Sequence, residues 1–368
     1  MTINDTQGAL SSSLIKAMMD AGAIVGADEK NVRPSSLDLT LSEEVYKVEG
    51  IFQPYLKESV REMLPLIKKR KHKLSEPFEK GEMYIARLNE SFSLPGSVYG
   101  LCNPKSTTGR LDIHVRAMAD GVSRYDSLAP AGWAGEVWVS IVSKTFPVRM
   151  SKNQTLNQVR FFNAETKLSE LDLELFSMKD PLLWNRKGEK IPWKKVKVFD
   201  KDDSISLTLD CEEGNVGWKA LSSAGVLDMN CYGTYRVSDY FTSIKKRKGF
   251  VHLKKNEFYI LSTFESVRVP PRLACEMIPM DEKSGEFRAH YAGFIDPGWG
   301  WGKRGEGRGR PLTLEVRPFE DLIIRPHQPI AKVRFERVAG RLEQGYDGII
   351  DSNYIKQEGP RLAKQFKL

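Results

Sequence analysis

The segment Pro104-Lys-Ser-Thr-Thr-Gly-Arg110 sets three hydroxyl side chains beside a glycine and between two cations. Small residues let a backbone approach a ligand closely, and Lys105 and Arg110 add positive charge, a combination suited to phosphate or another anion. It lacks G-x-x-x-x-G-K-[ST] and is no Walker A loop; read alone, a solvated surface turn fits it as well. Further on, Leu312-Thr-Leu-Glu-Val316 alternates, and Glu315 falls opposite Leu314 and Val316. With those two in the core, Glu315 is either an exposed strand carboxylate or, where the strand lines a pocket, a desolvated one with raised pKa, suited to proton transfer. Gly300-Trp-Gly-Lys-Arg-Gly305 formally fits G-x-G-x-x-G. It runs on as Glu306-Gly-Arg-Gly-Arg310-Pro311, which cannot start a helix, so a flexible basic hairpin tip is expected there and not a dinucleotide site.

Metal chemistry has no signature. Cys102, Cys211, Cys231 and Cys275 form no C-x-x-C, and His72, His114, His252, His290 and His327 form no H-x-E or H-E-x-x-H. Zinc sites, including those of the zinc nucleobase deaminases, are announced by such spacings, so no zinc is expected. The four cysteines read as ordinary buried residues. Lys68-Lys-Arg-Lys-His-Lys73 is the sizeable basic run; at the end of an amphipathic helix it reads as a solvated terminus before a nucleic-acid contact.

These residues must be positioned by strands. GEVWVSIVS (135–143), FYILSTFESVRV (258–269) and PIAKVRFERV (329–338) alternate with period two between Gly, Pro and Asn punctuation, the pattern of an all-β barrel or double-sheet roll. Helices are expected at Ser11–Ala21, with serines to cap the first turn and Leu14, Met18 and Met19 on one face, and at Lys57–Lys69, with Val60, Met63, Leu64 and Ile67. The chain also repeats itself. Tyr84-Ile-Ala-Arg-Leu-Asn-Glu-Ser-Phe-Ser-Leu-Pro95 recurs as Tyr259-Ile-Leu-Ser-Thr-Phe-Glu-Ser-Val-Arg-Val-Pro270, and Gln158-Val-Arg-Phe161 as Lys332-Val-Arg-Phe335. Gly132-Trp133 answers Gly298-Trp299, and Leu37-Asp-Leu39 with Val45-Tyr-Lys-Val48 is paired with Leu227-Asp-Met229 and Thr234-Tyr-Arg-Val237. One duplicated domain follows: residues 1–165 and 206–368, with the charged stretch 166–205 as the junction. The 368 residues carry a formal charge of +8 with 40% hydrophobic content, enough for packed cores and suggestive of an anionic ligand. No secretory signal or membrane-length apolar run is visible, so a cytoplasmic globular protein is expected.

Taken in order, the motifs resemble the dCTP deaminase family, whose members share the trimeric dUTPase-like β fold. LIKAMMDAGAI with Arg33-Pro-Ser-Ser-Leu-Asp-Leu39 looks like that family's opening helix and PSS-x-DL strand. Lys105-Ser-Thr-Thr-Gly-Arg110 is similar to its R-S-S-x-x-R segment, and Phe294-Ile-Asp-Pro-Gly-Trp299 to its IDPGW turn. Leu314-Glu315 is similar to its strand bearing the catalytic glutamate, and Tyr354-Ile-Lys-Gln-Glu-Gly-Pro360 to its closing tail. The resemblance implies two tandem dUTPase-like domains, mainly β with a few short helices.

Each half departs from the family pattern. The first has the serine–arginine segment but Ser140 where the glutamate belongs; the second has Glu315, but Lys283-Ser-Gly-Glu286 where serine and arginine belong. A nine-residue insertion also separates Trp299 from Glu315, relative to Trp133 and Ser140. Family sites lie between neighbouring subunits, so after fusion one working interface suffices, an arrangement that herpesviral dUTPases resemble. The resemblance therefore implies one composite site: Lys105, Ser106, Thr107 and Arg110 from the first half, and Ala292, Gly293, Ile295, Asp296, Glu315, Tyr346 and Gln357 from the second. It implies hydrolytic deamination of dCTP, with Glu315 taking the water proton and Ser106 and Arg110 orienting that water. Lys105 and Tyr346 would hold the triphosphate, Gln357 would close the lid, and Mg²⁺ would accompany the phosphates. Asp296 would bind the sugar 3′-hydroxyl or shape its turn. A dUTP diphosphatase or bifunctional enzyme is the nearest rival, and a non-catalytic nucleotide or nucleic-acid binder the next. The oligomeric state, monomer or homo-oligomer, and feedback by dTTP stay open.

Overall fold

The computed structural model describes residues 6–199, 202–211, 215–222, 224–246, 249–280, 287–288, 293–349 and 357–367. Strands dominate, as the period-two runs require, and ten of them carry the argument. In the first half these are β1 (Leu37–Val48), β2 (Met83–Ser93), β3 (Tyr99–Pro104), β4 (Ala134–Ser143) and β5 (Thr155–Phe162). In the second they are β6 (Ser204–Thr208), β7 (Tyr259–Val267), β8 (Leu273–Ile278), β9 (Arg310–Pro318) and β10 (Pro329–Ala339).

The duplication is visible as ladder register. Tyr84 of β2 faces Ile141 of β4, and Tyr259 of β7 faces Val316 of β9. Val159 of β5 faces Leu37 and Cys102, and Val333 of β10 faces Ile205 and Met277. Since side chains alternate faces along a strand, this register fixes which residues correspond. Ile85 pairs with Ser140 and Ile260 with Glu315, so Ser140 does occupy the glutamate's position. The register also corrects one match. The counterpart of Leu37-Asp-Leu39 is Ile205-Ser-Leu207, not Leu227-Asp-Met229, which instead pairs in parallel with Val148–Arg149.

Ala9–Leu10 sews the halves together, pairing antiparallel with β5 and parallel with β10, so that one sheet runs through both. One hydrophobic core fills the first half and takes in Phe241, Phe258, Ile260, Leu362, Ala363 and Phe366 from the second. Another fills the second half and recruits Leu168, Leu173, Leu182 and Leu183 from the junction, where the helix Glu170–Lys179 lies.

Helical expectations are met with shifts. The first helix, Ser12–Asp20, buries Leu14, Ile15 and Met18, but Ser11 makes no side-chain cap bond; its Oγ lies 3.0 Å from Ser13 Oγ. The second, α2 (Val60–Ile67), is shorter than expected because Ser59 and Glu62 form a capping box that starts it there. The basic run is solvated along Lys68–Lys71 as expected, but it is an edge strand on β1 and not a helix end, and lysines there discourage further strand pairing. Cys102, Cys211 and Cys275 are buried, whereas Cys231 is half-exposed. Among the described residues no helix is long and apolar enough to cross a membrane.

Candidate functional site

Strand β3 ends at Pro104 and the chain folds into a single helical turn, Ser106–Gly109. Lys105 N and Thr108 Oγ1 both donate to Leu156 O, at 3.0 and 3.1 Å, which anchors the turn on β5. Gly109 N and Arg110 N close it on the carbonyls of Lys105 and Ser106. Lys105, Ser106, Thr107 and Arg110 thereby line one pocket. Lys105 Nζ pairs there with the fully buried Asp38 of β1, and Arg33 reaches the same carboxylate oxygen at 2.7 Å. Burial pulls the Lys105 ammonium below its usual pKa even against the attraction of Asp38. For Arg33 burial acts in the same direction, but Asp38 outweighs it and the guanidinium rises. Two cations on one carboxylate leave this wall net positive.

The opposite wall comes from the second half. Glu315 points outward from β9 between Leu314 and Val316, which are in the core, and it is 1% exposed. Its Oε1 lies 3.8 Å from Arg110 Nε, across the boundary between halves. The C-terminal tail fixes that guanidinium: Nη2 donates to Gln357 Oε1 at 2.8 Å and Nη1 to Arg361 O at 3.0 Å. Gln357 in turn donates to Pro311 O at 2.6 Å, tying the tail to the strand that carries Glu315.

The floor is the strand Phe294–Ile295 and the turn after it. Ile295 and Asp296 line the pocket, and Asp296 Oδ1 is buried with no hydrogen-bond partner among the described residues. Burial raises this carboxyl's pKa, with Arg160, 3.9 Å away, opposing. Arg160 comes from β5 of the first half, is wholly buried, donates to Cys275 O and Ile295 O, and stacks 4.3 Å from the Phe294 ring. Gly293, expected at the site, is not among the residues that line the pocket: its N–H donates to Asn103 Oδ1 at 2.6 Å, and an added Cβ would meet Met277 O at 2.5 Å. Tyr346 lines the mouth, its N–H on Pro297 O at 2.8 Å and its ring 5.0 Å from that of Trp299. Ala292, with Lys283–Glu286, lies outside the described residues.

Thus Lys105, Ser106, Thr107, Arg110, Ile295, Asp296, Glu315, Tyr346 and Gln357 converge on one pocket drawn from both halves. Sequence reasoning missed Arg33, Asp38 and Gln158 as lining residues. Their signal is the Arg33–Leu39 motif and the repeated Gln158–Phe161 segment, which in the sequence mark fold and repeat. The glycine-rich stretch 300–309 is not a loose tip. It closes on itself through Gly307 N to Trp301 O and Gly309 N to Gly300 O, and Asp347 ties Gly302 N to Arg310. Arg268 stacks 3.8 Å from the Trp301 ring and donates to Gly305 O. Among the described residues no group of three or more His, Cys, Asp or Glu side chains could hold a metal ion.

Comparisons with known proteins point to one family. Residues 6–165 match the family model described as the 2′-deoxycytidine 5′-triphosphate deaminase N-terminal domain, and residues 181–366 match that of the C-terminal domain. A crystal structure of 2′-deoxycytidine 5′-triphosphate deaminase from Agrobacterium tumefaciens is similar at a TM-score of 0.81 and 32% sequence identity, over 91% of this chain and 100% of that one. No curated protein matches.

Proposed function

Because this chain belongs to the dCTP deaminase family and is an enzyme of that family, we propose that it hydrolyses dCTP to dUTP and ammonia at the pocket described above, which both halves line. The observation that carries this reading is Glu315 of β9 lying 3.8 Å from Arg110 of the other half, both almost fully buried. Glu315 takes a proton from water as the oxygen attacks C4 of the cytosine, and passes it to ring N3 to give a tetrahedral adduct. It then takes the proton of the new hydroxyl and delivers it to the amino group, the C4–N4 bond breaks, and ammonia leaves. Such general acid–base work contributes about 10²–10⁴ in rate. Arg110, held from behind by Gln357 and Arg361 O, is preorganised with Ser106 to orient the water. A preorganised donor of this kind contributes ~3–4 kcal/mol.

Lys105 and Arg33, with Tyr346 at the mouth, form the cationic side for the triphosphate, and Thr107 lines it. Asp38 holds both cations in place through its Oδ2, and Mg²⁺ enters this reading as the ion carried by the phosphates. Asp296 has an unfilled acceptor position suited to the sugar 3′-hydroxyl. The site needs no second chain, and dTTP, with the same sugar and phosphates, is the expected competitor.

The test is to incubate purified protein with dCTP and Mg²⁺ and count both products. Ammonia equal to the dCTP consumed, without pyrophosphate, is expected. Pyrophosphate without ammonia would replace this reading with a diphosphatase. Tight oligonucleotide binding with steep salt dependence and no turnover would replace it with a non-catalytic binder.

A further inference from the structure

Two residues beyond each member of the Arg110–Glu315 pair, a second ion pair crosses the same boundary with its charges exchanged. Asp112 of the first half is fully buried, and its Oδ2 accepts from Arg317 Nη2 of β9 and from Thr145 Oγ1. Arg317 also donates to Thr145 Oγ1 at 2.9 Å and to Asn256 O. Residues two apart on a strand share a face, so Arg317 leaves β9 on the side that presents Glu315. Asp112 is bound to the helical turn as tightly: its N–H donates to Gly109 O at 2.9 Å, and its carbonyl accepts Lys144 N at 3.0 Å. Its φ of 57° reverses the chain immediately after Arg110, a conformation that Asp tolerates better than most residues.

The duplication supplies an internal control. Tyr84 faces Ile141 and Tyr259 faces Val316, so the residue of the first half that answers Arg317 is Val142, just as Ser140 answers Glu315. Strand β9 carries both charges and β4 carries neither. Of the two strands β9 is the one that meets the other half, and there the charged pair lies two residues along from Glu315 on the same face, close enough to register that glutamate.

We propose that Asp112 and Arg317 are positioning residues, a clamp that sets the spacing between Arg110 and Glu315 across the two halves. The proposal rests on the deaminase reading for its kinetic consequence only. A displacement near 1 Å in a reactive constellation can cost about 10² in rate, so the clamp acts on turnover more than on binding.

The experiment compares Arg317→Met, Arg317→Lys and Asp112→Asn in the full chain, by dCTP kinetics and by hydrogen exchange. Arg317→Met is expected to lower kcat at least tenfold with KM changed less than threefold, and Arg317→Lys to restore much of it. Amides of Gly109, Arg110 and Asp112 should exchange at least tenfold faster in Arg317→Met, while those of Val139 and Ile141 stay unchanged. Asp112→Asn, close to isosteric, should give the same split and serves if Arg317→Met does not fold. Unchanged kcat, or kcat, KM and melting temperature falling together without rescue by lysine, would overturn the clamp. If the wild type releases no ammonia, the deaminase reading fails by itself, and the exchange data still decide whether Arg317 holds the turn.

Discussion

The outward faces of β4 and β9 are the same surface used twice. Along β4 it carries Trp138, Ser140 and Val142; along β9 the register puts Thr313, Glu315 and Arg317 at those positions. What covers them differs. Over β4 lies α2, with Val60 and Leu64 packed on Ile85, Met118 and Trp138, and Arg61 stacked 5.2 Å from the indole. Over β9 lie the first half and the tail: Arg110 on Glu315, Asp112 on Arg317, and Gly359 and Arg361 on Thr313. Ile85 and Ile260 correspond, yet Ile85 packs under a helix of its own half while Ile260 joins the core of the other. A buried charge without its partner costs several kcal/mol, so a face under an apolar helix must be neutral and a face under arginine and aspartate can keep its charges. Asp38 shows the same rule from the other side. Its counterpart is Ser206, and the cations it holds exist in the first half. By contrast the pair Thr40–Glu90 recurs intact as Thr208–Glu265, in each case with the threonine N–H and hydroxyl donating to the carboxylate. Duplicated structure was kept twice and candidate chemistry once.

Matched substitutions test that contrast. The largest difference is expected between Glu315→Gln, which should lower kcat about 10²–10⁴-fold in an ammonia-release assay, and Ser140→Ala, which should leave it within twofold. Next is the cover. Leu64→Ala should cost about 2–4 kcal/mol in urea unfolding with kcat of the folded protein retained, whereas Ile260→Ala should lower stability and kcat together. The cationic wall comes third. Lys105→Met should raise KM for dCTP by about 10–100-fold, the worth of a charge-assisted hydrogen bond, while Ser206→Ala leaves KM unchanged.

The smallest effect belongs to the conserved pair. Burial raises the pKa of both Glu90 and Glu265. A carboxyl that holds its proton more tightly when folded makes stability fall as pH rises from the unfolded value, about 4.3, through the raised folded one. Glu90→Gln and Glu265→Gln should each remove part of that fall and change stability by similar amounts, about 1 kcal/mol, seen as melting temperature against pH. Unequal effects would mean that the two halves have diverged in structure as well as in chemistry.

Much of this was legible from residues alone because strand repeats carry register. The correspondence of Ser140 with Glu315 came with the family resemblance, and the ladder, with Ile85 on Ser140 and Ile260 on Glu315, agrees with it. The pairing of Leu37-Asp-Leu39 with Leu227-Asp-Met229 failed because a three-residue motif outweighed ladder context; Ser36-Leu-Asp-Leu-Thr-Leu41 against Ser204-Ile-Ser-Leu-Thr-Leu209 is the longer match. The role of α2 was not readable. Its apolar positions say that one face is buried, not that it covers the surface which elsewhere meets a domain. Arg33, Asp38, Asp112 and Arg317 stayed hidden for a related reason: a lone charge on a strand or turn does not name its partner, whether 5 residues away as in Arg33–Asp38 or 205 as in Asp112–Arg317. The glycine-rich insertion looked loose because glycine count speaks for backbone freedom, while Asp347 and Arg268, which tie it down, lie outside it.

The stoichiometry of dCTP binding to the full-length Glu315→Gln protein, by titration calorimetry, is the most direct test of a single centre built from both halves. One nucleotide per chain, abolished when Arg110→Ala is added, is the expected result. Two nucleotides per chain, or one that survives loss of Arg110 undiminished, would contradict it.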